Sequence, residues 1–253
     1  MIRPEGFSDA LDMRIVSLGT GPESRTGTQP GIPERQVHVW SGTYAGFGQH
    51  PQEFPELLSS AETARFRGFR KPADARKYLI RHALVRVILG SYLRKSPGEI
   101  RLAYGENGRP ELEPGPEPCA IRFSLTTADE VFSLAVSREL PVGLDIVDTL
   151  TRHSFAAIGG YCFTDAELEW IRRETPSRRT RRFFRIWALK EALLKAAGGT
   201  AAMMRDEDVS GIVRDSLLGG WYPLVLAGRK RQAFIQESAC GNRHHQAVVC
   251  LAP

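Results

Sequence analysis

Four charged side chains and one tryptophan, in two short stretches, could do chemistry together. In RRFFRIWALKEALLKAAGG, Arg181 to Gly199, the residues Trp187, Glu191 and Lys195 recur every four positions and so share one stripe of a helix. Lys190 stands beside Glu191. In VGLDIVD, Val142 to Asp148, Asp145 has apolar neighbours on both sides. A carboxylate in such a place is costly to bury unless it is paired, hydrogen-bonded or bound to a metal. Two acids and two lysines brought together could hold a divalent cation and a phosphate. Glu191 and Lys195 also have a plainer reading, an i,i+4 ion pair on a solvated face that contributes a few tenths of a kcal/mol. Trp187 on the same stripe argues that the stripe faces something other than water.

The elements that must carry these groups follow from pattern. Ala188, Leu189, Ala192, Leu193, Ala196 and Ala197 are strong helix formers, Phe184, Ile186 and Leu194 mark the buried flank, and Gly198-Gly199 is a stop. The second stretch alternates as a strand. Leu140, Val142, Leu144 and Ile146 fall on one face, and Gly143, Asp145 and Val147 on the other, with Gly143 allowing a close backbone approach.

The rest of the chain supplies a mixed scaffold. Residues 1–36 are rich in Gly, Pro, Ser and Thr and are expected to be a flexible extension. Val37 to Tyr44 alternates as a first strand. Ser59 and Ser60 before AETARFRGF look like a capped helix start, and PADARKYLIRHALVRVILGSYLRK reads as a long, arginine-rich amphipathic helix. Ile100 to Tyr104 is a short strand before the turn GENGRP, and two strands from Ile121 meet at Thr127 to Glu130. Thr164 with Glu167 three residues later forms a capping box. The last segment, from Val209, contributes three more strands.

Composition excludes several classes. The chain has 253 residues, a net charge of +5 and a pI near 9.2, which suits an anionic ligand or an acidic partner. No basic run interleaved with aromatics, zinc finger or RNP-like segment supports nucleic-acid binding. No apolar run approaches the roughly 20 residues that span a bilayer, and the N-terminus lacks a signal-peptide pattern. Cys119, Cys162, Cys240 and Cys250 are scattered without metal-ligand spacing, as in a reduced cytoplasmic protein.

Val142-Gly-Leu-Asp145 followed further along by Trp187-Ala-Leu-Lys-Glu-Ala-Leu-Leu-Lys195 resembles the paired signature of the Sfp-type 4'-phosphopantetheinyl transferases. Asp74 to Arg86 resembles that family's first-lobe helix, and Gly108-Arg109-Pro110 its phosphate-binding turn. The resemblance implies an α+β fold of two similar α/β lobes related by a pseudo-twofold, with the active site at the lobe junction. Residues 37–140 would be the N-terminal lobe with the coenzyme A nucleotide contacts, and 141–253 the C-terminal lobe with the metal and catalytic residues. Asp145 and Glu191 would hold Mg2+, with Glu191, Lys195 and Asp145 catalytic. Arg65, Arg109, Thr126, Thr127, Lys190 and Lys195 would contact coenzyme A. Thr127 stands where the family has a histidine, and Val147 where many members have a second acid. Glu167 is either a capping residue alone or a neighbour of the metal. The basic run Arg172 to Arg185 is either a solvated face or a docking edge for an acidic partner.

The implied reaction is transfer of 4'-phosphopantetheine from coenzyme A to a serine of an apo acyl or peptidyl carrier protein, with release of adenosine 3',5'-bisphosphate. Carrier proteins of polyketide synthases and nonribosomal peptide synthetases in secondary metabolism are the expected setting, and a cytoplasmic monomer the expected form. The alternative is a degenerate member that binds carrier protein or nucleotide without turnover, or one that uses a different pantetheine donor.

Overall fold

The computed structural model describes residues 12–17, 32, 36–47, 54–105, 108–115, 119–150, 155–213, 219–240 and 243–252. In chain order the elements are β1 (Asp12–Ser17), β2 (Gln36–Thr43), α1 (Ser60–Arg67), α2 (Pro72–Leu93), β3 (Leu102–Tyr104), β4 (Pro110–Leu112), β5 (Ile121–Ala128), β6 (Val131–Arg138), β7 (Val142–Asp148), α3 (Phe155–Cys162), α4 (Asp165–Arg172), α5 (Pro176–Ala197), β8 (Gly220–Leu226), β9 (Arg229–Cys240) and β10 (His244–Leu251).

The strands form two four-stranded antiparallel sheets, in the orders β1-β2-β6-β5 and β7-β10-β9-β8, plus the small β3-β4 hairpin. The break between sheets falls between β6 and β7. Each sheet carries one 22-residue helix, α2 or α5, that opens on a proline and ends at a left-handed residue, Arg94 or Gly198. A short helix with a complete capping box precedes each, Ser59 with Glu62 for α1 and Thr164 with Glu167 for α4. Apart from the β3-β4 hairpin in the first half and α3 and β8 in the second, the order strand, short helix, long helix, two strands occurs twice, with β2, β5 and β6 repeated by β7, β9 and β10. The fold is α+β, as the resemblance implies.

The alternation of β7 places its two faces against different partners. Leu140, Val142 and Leu144 join Val37, Val39, Ala135 and Val248 in an apolar layer shared by both sheets. Gly143 and Val147 face α5, and a Cβ on Gly143 would lie 1.8 Å from the Ala192 carbonyl oxygen, so only glycine fits. Asp145, on that same face, is thereby brought under the end of α5.

Asp12–Ser17 departs from the extension expected at residues 1–36. It pairs antiparallel with β2, Asp12 opposite Ser41, and Ile32 is buried in the core beneath α2. Residues 1–11, 18–31 and 33–35 lie outside the described residues. No helix among the described residues is long and apolar enough to cross a membrane.

Candidate active site at the lobe junction

β5 and β7 run side by side at the seam between the sheets, outside any common ladder, and side chains stitch them. Ser124 Oγ accepts the Leu144 N–H at 3.0 Å, and two residues along, Thr126 Oγ1 donates to Asp145 Oδ1 at 3.0 Å. Lys195 Nζ, from the last turn of α5, reaches the same carboxylate oxygen at 2.6 Å and the Leu144 carbonyl at 3.2 Å. Asp145 is thus buried but held by two donors and a backbone N–H; burial raises its pKa, and Lys195 and Thr126 work against that rise.

Glu191 lies one turn before Lys195 on α5 and is half-buried. It accepts no hydrogen bond from a described residue. Burial raises its pKa first and the Asp145 charge second, while Lys195 and Arg109 oppose both. The two carboxylates are therefore within electrostatic reach of each other, and Lys195 acts on both. Trp187, on the same stripe, stacks on Phe183 at 6.1 Å instead of facing solvent.

In front of Asp145 and Lys195 opens a cleft of about 610 Å³ whose opposite wall is the other lobe. That wall holds Arg65 of α1 and Tyr78, Arg81 and His82 of α2, and Thr126 and Thr127 of β5 also line it. A smaller hollow of about 290 Å³ shares Pro110, Leu125 and Lys195 with the cleft and is lined by Arg109. Arg109 Nη1 donates to the Leu194 carbonyl at 3.1 Å, tying the β3-β4 turn to the end of α5. Two guanidinium groups on one side and an ammonium on the other suit the junction to an anion.

For the magnesium that the resemblance implies, the donor set fits. Buried Asp145 and half-buried Glu191 offer hard oxygens, and the Asp145 charge raises the Glu191 pKa, a situation that a divalent cation would relieve. No group of three His, Cys, Asp or Glu suited to a metal occurs among the described residues, so waters and phosphate oxygens would complete the shell. Val147 is buried against α5, and Asp148 pairs with Arg243 at 2.5 Å, so neither adds a ligand.

The sequence stripe of α5 is sorted by this geometry. Lys190, expected at the coenzyme, lies elsewhere: it is 1% exposed and its Nζ is 2.6 Å from Glu167 Oε2. Glu167 also accepts the Val209 N–H and closes its capping box, so its role is structural. Thr126 is committed to Asp145 as well as lining the cleft. Arg67, Arg70 and Lys71 are exposed and line no cavity described here. Tyr78, Arg81, His82, Glu62 and Tyr104 also line the cleft, and no local pattern marks them for it. Arg81 and His82 lie in the helix DARKYLIRHALVR, one turn after Tyr78, but helical spacing alone does not say which side of α2 meets a second lobe.

A two-lobed α+β protein with two carboxylates, a lysine and an arginine-lined cleft at its junction is of a kind suited to a charged phosphate compound. The comparisons agree on which kind. Residues 141–249 match the model of the 4'-phosphopantetheinyl transferase superfamily. The chain is 27% identical over 175 residues to the 4'-phosphopantetheinyl transferase HetI of Nostoc sp., covering 69% of this chain and 74% of that one. It is 26% identical over 162 residues to a putative 4'-phosphopantetheinyl transferase of Synechocystis sp., covering 62% and 65%. It is 30% identical over 180 residues to a phosphopantetheinyl transferase of Thraustochytrium sp., covering 66% and 62%. The match thus spans about three quarters of the first relative and just under two thirds of the other two. Residues 141–249 thus carry a 4'-phosphopantetheinyl transferase superfamily domain, and the relatives found over a longer stretch are named as enzymes of that kind.

Proposed function

We propose that this protein is an Sfp-type enzyme that transfers 4'-phosphopantetheine from coenzyme A to a serine of an apo acyl or peptidyl carrier protein and releases adenosine 3',5'-bisphosphate. The observation that carries the reading is the junction itself: Asp145 and Lys195 of one lobe line a cleft across from Arg65 and Arg81 of the other, with Glu191 within electrostatic reach of Asp145. A pyrophosphate in that cleft has cations on both sides.

The reaction asks little covalent chemistry of the protein. The serine oxygen attacks the β-phosphorus, a bond to phosphorus forms as the bridging P–O bond breaks, and the bisphosphate leaves with the bond's electron pair. Arg65, Arg81 and Arg109 grip the nucleotide phosphates. Lys195, already fixed by Asp145 and the Leu144 carbonyl, offsets charge that develops on the leaving oxygen. Glu191 has an uncommitted carboxylate whose raised pKa suits it to take the serine proton. Mg2+ bound by Asp145 and Glu191 would neutralise the pyrophosphate.

The carrier protein would dock along the basic edge where α4 ends and α5 begins. Arg172, Arg173, Arg178, Arg179 and Arg181 are exposed there, and Arg178 and Arg181 make no ion pair with a described residue. An acidic partner would be steered by this edge, and salt would slow its approach.

Mass spectrometry of apo carrier proteins incubated with the protein, coenzyme A and Mg2+ tests the proposal. A mass gain of one phosphopantetheine on the carrier serine is expected, and its absence across a broad panel would remove the reading. A second reading, binding without turnover, draws on Val147, which leaves the site with two carboxylates. It predicts carrier or nucleotide binding with no mass gain.

A further inference from the structure

His82 is 8% exposed on α2, yet it forms part of the cleft wall. Its Nδ1 lies 2.7 Å from the Tyr78 carbonyl oxygen one turn back. A carbonyl can only accept, so Nδ1 carries the hydrogen. The imidazole also rests on the Tyr78 ring, with centroids 3.8 Å apart and a tilt of 31°. These two contacts fix the ring and leave Nε2 without a partner among the described residues. In this tautomer a neutral ring offers a lone pair at Nε2, and only a protonated one offers a donor there.

The same tyrosine collects two more basic groups. The Arg65 and Arg81 guanidinium carbons stand 5.8 and 5.6 Å from its ring centroid. One side chain thus gathers two guanidiniums and an imidazole, from two helices, on one wall. The acid on that wall, Glu62, is already occupied by Arg86, Tyr104 and its own capping N–H. Across the cleft Asp145 is held by Lys195. The wall is short of negative charge where His82 stands.

We infer that His82 is a phosphate-binding residue of this cleft, and that the pair formed by Nε2 and a phosphate oxygen takes up a proton as the phosphate enters. The inference rests on the transferase reading only in that the phosphate is taken to be the coenzyme's. In the empty cleft, burial pushes the imidazole down to about 4. The Tyr78 carbonyl and Glu62 raise it, while Arg81 and Arg86 lower it further. Arg65, Tyr104, Asp145 and Lys195 complete the charged and titratable groups around the cleft. A phosphate dianion supplies the partner that the protonated ring lacks, and the neutral lone pair would repel it. The complex therefore holds a proton that neither component holds alone at pH 8.

Titration calorimetry with adenosine 3',5'-bisphosphate tests this on the full chain, at pH 8, in two buffers of different ionisation enthalpy. The wild type is expected to take up about one proton on binding, and its affinity to rise about tenfold from pH 8 to pH 7. His82→Gln, which can donate without protonation, is expected to take up none and to lose that slope. If His82→Gln keeps the same proton uptake and slope, the inference is overturned while nucleotide binding stands. If neither protein binds the nucleotide, the transferase reading falls with it. Should the variant not fold, ring-nitrogen spectra of wild-type protein with labelled histidine decide: a proton at or hydrogen-bonded to Nε2 in the complex is expected, and an unchanged free lone pair overturns the inference.

Discussion

Arg86 and Lys190 lie equally far along two 22-residue helices from the opening prolines, Pro72 and Pro176. Each closes on the capping-box glutamate of the short helix before it, Arg86 Nη2 at 2.8 Å from Glu62 Oε2 and Lys190 Nζ at 2.6 Å from Glu167 Oε2. The two lobes thus hold their long helices by one device, a buried ion pair whose acid also caps a helix. The lobes differ in what they do with it. In the N-terminal lobe the pair backs the cleft through Tyr104, and in the C-terminal lobe it is sealed within the core.

Lys190→Met should therefore cost stability and not binding. It strands the Glu167 carboxylate in a fully buried place, a defect worth about 3–5 kcal/mol. Denaturant unfolding would show the loss, while calorimetry on the protein that remains folded should give an unchanged affinity for coenzyme A. A fall in affinity with stability intact would return Lys190 to the binding site.

Asp145→Asn and Glu191→Gln should each abolish transfer and leave the fold in place. Both are nearly isosteric, and the amide oxygen in Asp145→Asn would remain an acceptor for Thr126 and Lys195. A loss on the order of a hundredfold or more in kcat is expected of groups that act on developing charge. Near-normal modification of a carrier protein by either variant would show that these carboxylates do not serve the reaction.

Gly143→Ala should disrupt the scaffold beneath the site. The added carbon would meet the Ala192 carbonyl at 1.8 Å and the Ala196 nitrogen at 2.6 Å, both backbone atoms that cannot swing away. Pushing α5 off β7 should cost about 1–3 kcal/mol or more and pull Lys195 from Asp145. Thermal unfolding and the transfer rate should fall together; a variant as stable and active as wild type would mean the packing is looser than described.

Thr127→His should tighten coenzyme A binding. Thr127 is exposed and lines the cleft together with Arg65 and Arg81, so an imidazole there has room and a phosphate to meet. A gain of a few-fold to about tenfold is expected for one added charge-assisted hydrogen bond at a partly solvated site. No change on calorimetric titration would show that the strand residue does not touch the ligand.

Acid should weaken the fold through His82. Its folded pKa, about 4, lies below the ordinary 6.5, so between these values the unfolded chain binds a proton that the folded chain refuses. Stability is full above pH 6.5 and falls as pH drops toward 4, by on the order of 3 kcal/mol. His82→Gln should flatten this part of the curve measured by denaturant unfolding. An identical pH dependence in the variant would place the acid sensitivity in other groups, His38 among them.

How much of this was legible beforehand depends on how local each feature is. Alternation in VGLDIVD, the four-residue stripe of Trp187, Glu191 and Lys195, and the capping boxes at Ser59 and Thr164 are written in a few adjacent residues. They specified element type and face, because backbone period and caps are set within a turn or two. The need for glycine at position 143 was visible for the same reason. What the pattern left open was which exposed-looking groups meet. Lys190 and Lys195 are similar residues on one helix, yet one is sealed against α4 and the other opens on the cleft. Asp12–Ser17 looks like part of a loose extension and becomes a strand because β2 offers it an edge. Thr126 on Asp145, Arg109 on the Leu194 carbonyl, and Arg81 and His82 on the cleft wall all depend on two lobes closing together. Sequence period decides the direction of a side chain from its own backbone; only the packing of one lobe on the other decides what stands in front of it.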